Sequence, residues 1–281
     1  MTVEPISRRW ACQSMALACA SSLIAPSSGM AGESPAGGRP SKSAVTSAKK
    51  GVCGKGTKCE LVRAGWYYNW NWAPTSGKID AEFVPMIKGK VNATDKAFKK
   101  IEQLKVSHGV DHLLGFNEPD SPSQGNTSVE KAIELWPKLM ATNLRLGSPA
   151  VTDNARGKAW IDAFAAGARQ KRLRVDFMTL HRYPNLQKKG SALQFLRSIE
   201  QVYQQYRLPI WITEFSGLNF GSKDRHMTPA HNLEFMMGII PKLEQLPFVE
   251  RYAWFSGDIA TLYARDKPSE LGRLGEVYRQ F

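Results

Sequence analysis

From residue 49 onward, short apolar runs alternate with stretches whose apolar residues recur every three or four positions. The runs predict strands over 63–70, 82–87, 112–117, 144–150, 176–183, 209–215 and 251–256. Between them, 94–106 reads as a helix, with Thr94 and Asp95 as cap candidates and Phe98, Ile101 and Leu104 along one face. The stretch 128–143 repeats apolar positions at Val129, Ile133, Leu135 and Leu139, and 192–206 and 229–246 follow the same rule. Strand–helix alternation with near-continuous apolar strands predicts a parallel sheet covered by helices. The expected fold is therefore α/β, a (β/α)8 TIM barrel in a single domain over 49–281. Pattern yields seven strands, one short of closure, and the short piece 50–53 is the candidate for the missing one.

The first 48 residues follow neither period. Arg8 and Arg9 precede a moderately apolar stretch rich in Ala, Leu and Ser, and small residues follow, so 1–25 reads as a signal peptide. The arginine pair also suits twin-arginine export, and Ala16-Leu17-Ala18-Cys19 resembles a weak lipobox. Residues 26–48, rich in Ser, Gly, Pro and Ala, read as a flexible linker. The expected location is secreted, periplasmic or cell-surface.

Composition changes this picture little. The 42% hydrophobic content is ordinary, and no apolar run reaches the length of a membrane span. The net charge of +13 raises nucleic-acid binding, but +6 of it falls within residues 1–63 and the rest is spread along the chain, so no nucleic-acid partner is expected. Cys53 and Cys59 are spaced to close a short disulfide loop if the chain is exported, and neither CxxC nor nearby His supports a zinc site.

Two strand ends carry the chemistry. Leu113-Leu114-Gly115-Phe116 runs into Asn117-Glu118-Pro119, and Ile210-Trp211-Ile212-Thr213 runs into Glu214. In a parallel barrel all strand C-termini open on one face, so two glutamates far apart in sequence meet there. Cleaving a glycosidic bond needs that pair: one group protonates the departing oxygen, the other traps the oxocarbenium-like centre, and retaining enzymes hold them about 5–5.5 Å apart.

Aromatic residues support a sugar cleft, because pyranose C–H faces pack on rings while hydroxyls need Asn, His and carboxylate partners. Trp66, Tyr68, Asn69, Trp70 and Trp72 crowd one strand end, and Trp254 another; all are read as substrate-binding. Trp136 and Trp211, mid-helix and mid-strand, are read as core. His181 and Tyr183 share one side of a strand end by alternation and face the mouth. No GxSxG elbow, glycine-rich nucleotide loop or HExxH motif competes.

In order, Lys50-Gly51, Trp66-x-Tyr68-Asn69-Trp70, Phe83-Val84-Pro85-Met86, Leu114-Gly115-Phe116-Asn117-Glu118-Pro119, Gly147-Ser148-Pro149-Ala150, His181-x-Tyr183 and Trp211-Ile212-Thr213-Glu214-Phe215 resemble glycoside hydrolase family 128, the endo-β-1,3-glucanases of clan A. The resemblance implies that 50–53 is a shortened first strand, that Glu118 on strand four is the acid/base, and that Glu214 on strand seven is the nucleophile. It further implies Asn117 as partner of the sugar 2-hydroxyl, Tyr183 as partner of the nucleophile, and Trp254 as the aromatic under the sugar at the cleavage point. The expected partner is a β-1,3-glucan or its oligosaccharides, the protein acting as a monomer without a metal or organic cofactor. The family's usual Lys-Arg-Gly opening leads into an aliphatic and aromatic strand, whereas here Val52-Cys53-Gly54-Lys55-Gly56 follows Gly51, so that end of the cleft is expected to differ. Two other readings remain open: a β-glucan-binding protein on a barrel scaffold, and a clan A hydrolase for another β-glycan.

Overall fold

The computed structural model describes residues 47–281 apart from 221, 222 and 224. The expected signal peptide and nearly all of the expected linker lie outside the described residues. Within them, eight strands run β1 Ser47–Cys53, β2 Ala64–Tyr68, β3 Glu82–Phe83, β4 His112–Leu113, β5 Arg145–Leu146, β6 Met178–Arg182, β7 Ile210–Phe215 and β8 Val249–Trp254. β1 begins at Ser47, two residues ahead of the expected domain boundary. Parallel ladders join β3-β2-β1-β8-β7-β6 and β4-β5. Single parallel bridges, Met86 to Leu114 and Gly147 to Phe177, connect β3 to β4 and β5 to β6. Every strand is thereby paired to both neighbours, and the ring is a closed (β/α)8 barrel.

The short first strand is real, and its glycine explains why. A Cβ on Gly51 would stand 2.2 Å from the Trp66 indole, so β1 lies beneath that ring only without a side chain there. Ladder pairing is shorter than the apolar runs for β3 to β5, whose ends continue as bridged, extended chain.

Helices α1 Cys59–Val62, α2 Asp95–His108, α3 Val129–Met140, α4 Ala155–Gln170, α5 Ser191–Tyr206, α6 Pro229–Gln245 and α7 Arg273–Gln280 cover the barrel. Thr94, Ser128 and Asn154 cap α2, α3 and α4 by accepting a backbone N–H three residues on. α4 is not among the periodic stretches in the sequence, and neither are α1 and α7.

The core has two layers. Cys53, Trp66, Tyr68, Val84, Met86, Leu114, Phe177, Trp211 and Ala253 fill the barrel interior, while a larger cluster lies between strands and helices. Trp211 stacks on Phe177 at 4.2 Å, and Trp136 is buried in the outer layer against Phe164. At the N-terminal end of the barrel Arg251 lies over Trp211 and pairs with Glu82 at 2.6 Å. Glu82 also meets His112 at 3.0 Å, closing that end with a polar plug. No helix among the described residues is long and apolar enough to cross a membrane.

Alternation separates the cysteines. Cys53 points into the barrel and Cys59 into the outer layer, so the disulfide that their spacing allows does not form; both are buried free thiols. Burial, with the Glu214 charge adding to it, pushes the Cys53 thiol well up, and burial pushes Cys59 to about 12.

Candidate active site

Glu214 faces the barrel axis because β7 slips. Ile210, Ile212 and Phe215 belong to the outer layer and Trp211 to the inner, so strict alternation from Trp211 would turn residue 214 outward. Register shifts in both pairings of β7 fall between Ile212 and Phe215 or opposite Leu180 and His181, and re-aim the carboxylate. Glu118 sits just past β4 with φ of 42°, a left-handed conformation uncommon for a side-chain-bearing residue. Its N–H donates to the Ala150 carbonyl at 2.6 Å, and Gly125 N–H donates to the Asn117 carbonyl at 2.9 Å. A Cβ at Gly125 would lie 2.4 Å from that same carbonyl oxygen, so this turn needs a glycine.

Glu214 is buried and surrounded by donors. Tyr68 hydroxyl and Trp70 indole N–H donate to Oε1 at 3.0 and 2.8 Å, and Tyr183 hydroxyl donates to Oε2. Burial and then the Glu214 charge raise both tyrosine pKa values well above the ordinary phenol, so both remain donors. His181, fully buried, stands between the two carboxylates: Nδ1 is 2.9 Å from Glu118 Oε1, and Nε2 is 3.3 Å from Glu214 Oε1 but off the line of a hydrogen bond. One ligating atom from each of Glu118, His181 and Glu214 lies within 4.8 Å of the others. Tyr68, Trp70 and Tyr183 already donate to the Glu214 oxygens, and Glu118 meets His181 Nδ1.

Other candidate residues sort by layer. Asn117 is buried beside Glu118, and its Oδ1 has no partner among the described residues. Asn69 donates to the Ala73 carbonyl and holds the turn after β2. Trp70, with φ of 55°, reaches over Tyr68. Trp72, in the loop after β2, is half-buried with part of its ring packed against the outer-layer core. Two expectations are corrected. Trp66 fills the barrel interior beneath Tyr68 and donates to the Lys49 carbonyl, outside the cleft. Trp254 is fully buried against Phe215 and Phe235, its indole donating to the Ala260 carbonyl. On β8 Arg251 and Ala253 point inward, so Trp254 points outward and Phe255 inward, where it meets Trp70 and Tyr183 at 6.2 and 5.7 Å.

Sequence reasoning passed over two aspartates that hold the mouth together. Asp120 accepts from the Thr152 N–H at 3.0 Å, from the Thr152 hydroxyl and from Arg156, tying the β4 loop to the β5 loop. Asp153 accepts from the Tyr183 N–H at 2.9 Å and pairs with Arg182 at 3.3 Å, tying β5 to β6. The only signal for either was an acidic residue just beyond a strand end.

A closed parallel barrel with two facing carboxylates on β4 and β7, one of them ringed by aromatic donors, defines a glycoside hydrolase. The model of the glycosyl hydrolase catalytic core family matches residues 54–278, and the chain belongs to that family. Its structural neighbours are family 128 enzymes. It is 34% identical, at a TM-score of 0.75, to a subgroup I endo-β-1,3-glucanase from Amycolatopsis mediterranei solved with laminaritriose, covering 83% of this chain and 99% of that one. A subgroup III curdlan-specific exo-β-1,3-glucanase from Blastomyces gilchristii, solved with glucose, is 28% identical at a TM-score of 0.69, covering 83% and 98%. Alkali-sensitive linkage protein 1 of Schizosaccharomyces pombe is 28% identical over 199 residues, which are 68% of this chain and 34% of that protein, so the chain spans about a third of its length.

Proposed function

We propose that the chain hydrolyses β-1,3-glucan with retention of configuration, Glu214 acting as nucleophile and Glu118 as acid/base. The observation that carries the mechanism is the separation: an oxygen of each glutamate lies within 4.8 Å of the other. That spacing is shorter than the roughly 6.5–9.5 Å over which an inverting pair holds its water, which supports direct attack. The division of roles follows from the surroundings. Glu214 accepts from three neutral donors, an arrangement for a charged carboxylate, whereas Glu118 keeps one oxygen clear of partners among the described residues and a side chain 17% exposed at the mouth. Glu214 attacks the anomeric carbon as Glu118 gives its proton to the departing oxygen; Glu118 then takes a proton from the water that releases the sugar. Asn117 Oδ1 is available to a sugar hydroxyl, and Trp70, Tyr183 and Phe255 offer rings to pyranose faces. The choice of glucan rests on the neighbours, whose substrates carry β-1,3 linkages.

The test is reducing-sugar release from laminarin by the chain, with proton NMR of the first anomer formed. The β-anomer is expected, with activity lost in Glu118→Gln and Glu214→Gln. An α-anomer first product would exclude retention, and binding without cleavage would leave a glucan-recognition protein. Export is part of the proposal, supported by the basic and apolar N-terminus, and the N-terminal sequence of the mature protein tests it.

A further inference from the structure

A carboxylate offers only lone pairs, so an imidazole nitrogen turned toward one is at rest when it carries a proton. In His181, Nδ1 is hydrogen-bonded to Glu118, and Nε2 stands within ion-pair distance of Glu214 at 3.3 Å though off the line of a hydrogen bond. Arg182, next along β6, turns its guanidinium away to Asp153 and to the His181 carbonyl. Among the described residues no lysine or arginine forms an ion pair with either glutamate, and His181 lies within ion-pair distance of both.

From this geometry we infer that His181 is a fixed imidazolium shared by the two glutamates, whose charge partner changes within each turnover. The inference rests on the double-displacement reading above. In the free enzyme Glu214 is the carboxylate and Glu118 holds the acid proton. A Glu214 oxygen bonds to the anomeric carbon, the glycosidic C–O bond breaks with its electron pair leaving on oxygen, and the Glu118 proton goes to that oxygen. Glu214 is now a neutral ester and Glu118 the carboxylate, 2.9 Å from the Nδ1–H. Water then gives its oxygen to the anomeric carbon and a proton to Glu118, and the ester C–O electron pair returns to Glu214. His181 keeps both protons throughout, and the three groups sum to zero charge at each stage. Negative charge thus passes between two carboxylates across one cation, and neither is left unbalanced in a buried site.

His181 is a positioning residue, since it is fully buried and acts through the two carboxylates. The titratable and charged groups around it are Glu118 from β4, Glu214 from β7, and Arg182 and Tyr183 on its own strand; Tyr68 from β2 and Cys53 from β1 act on Glu214. Burial opposes charge on the ring, but the Glu214 charge and the Glu118 hydrogen bond, joined by the Glu118 charge in the stage where that group is ionised, outweigh it, against Arg182. The pKa is held above the ordinary imidazole value.

The test is proton–nitrogen NMR of the histidine rings in the full chain, with His181 assigned by its loss in His181→Gln. Both ring nitrogens are expected to be protonated at pH 7 in the free enzyme and again after trapping with a 2-fluoro laminaribiosyl fluoride. Trapping should move the Nδ1 proton downfield as Glu118 becomes its partner. A ring with one N–H at pH 7 in either state overturns the inference. His181→Gln keeps a donor but no charge, so kcat should fall about 100-fold with little change in KM. Its alkaline limb should move to higher pH, because the imidazolium deprotonation is gone. A limb unmoved in His181→Gln, with only thermal stability lowered, marks a structural role and also overturns it. If the probe forms no ester with Glu214, the double-displacement reading and the alternation of partners both fail, while the free-enzyme spectrum still decides the charge on His181.

Discussion

Trp70 donates its indole N–H to Oε1 of Glu214 at 2.8 Å, and the tryptophan holds that position through a left-handed backbone at φ of 55°. A neutral aromatic donor on the β2 loop thus orients the proposed nucleophile, alongside Tyr68 from the same strand. Removing one donor to a charged group costs roughly 1.5–3 kcal/mol, or about 10- to 100-fold in rate if it is felt in the transition state. Tyr68→Phe and Tyr183→Phe should therefore each lower kcat/KM on laminarin by about that factor while leaving the fold unchanged by circular dichroism. An effect on KM alone would mean that these hydroxyls serve the sugar and not Glu214.

Trp254 and Phe255 separate stability from binding. Trp254→Ala should cost about 3–5 kcal/mol by emptying a fully buried site between β8 and α6. Phe255→Ala should leave the melting temperature within a few degrees and raise KM for laminarin, since that ring stands beside Trp70 and Tyr183. Thermal unfolding of both variants beside laminarin kinetics decides the assignment, and the reverse pattern would return Trp254 to the cleft.

The strand-end glutamates were legible in the sequence because their signal is local: an apolar run that stops at a carboxylate. The closing strand β1 was legible only as the short candidate 50–53 and not by pattern, because its barrel contact depends on Gly51 making room for Trp66, a residue it meets only in the fold. α4 escaped notice because Ala and Gly dilute its apolar face to Ile161, Phe164 and Ala168. The misplacement of Trp254 was a one-residue error that alternation from Tyr252 would have corrected. Glu214 obeys the opposite lesson, since alternation from Trp211 turns it outward and only the register slip in β7 brings it in.

Cys53 and Cys59 should behave as inert thiols. Both lie buried on opposite sides of the sheet, with burial as the main cause of their raised pKa values. Neither should react with iodoacetamide in the native protein at pH 8, and both should react in denaturant without prior reduction. A reductant should leave the melting temperature unchanged. A requirement for reduction before labelling would restore the disulfide.

The polar plug at the N-terminal end of the barrel gives a pH dependence with a definite sign. Burial raises the Glu82 pKa, but hydrogen bonds from His112 and Arg251 and the Arg251 charge outweigh it, so the folded-state pKa lies below the ordinary glutamate value. A carboxylate with a depressed folded pKa contributes stability that is fully present above its unfolded pKa and is lost as pH falls through the folded one. Between those two values the unfolded chain binds more protons, so stability should fall with acid over that window. Glu82→Gln removes the charge but leaves Arg251 lying over Trp211. The variant should lose on the order of 2 kcal/mol at pH 7, because one partner of a mostly buried pair is left without its counter-charge. The difference between wild type and variant should begin to shrink as pH falls below the ordinary glutamate value of about 4.3, and be gone once pH passes the lower folded-state pKa, where Glu82 is protonated in both chain states. Urea unfolding of both proteins at a series of pH values measures this directly. A difference that stays constant down to acid pH would show that Glu82 acts by shape and not by charge.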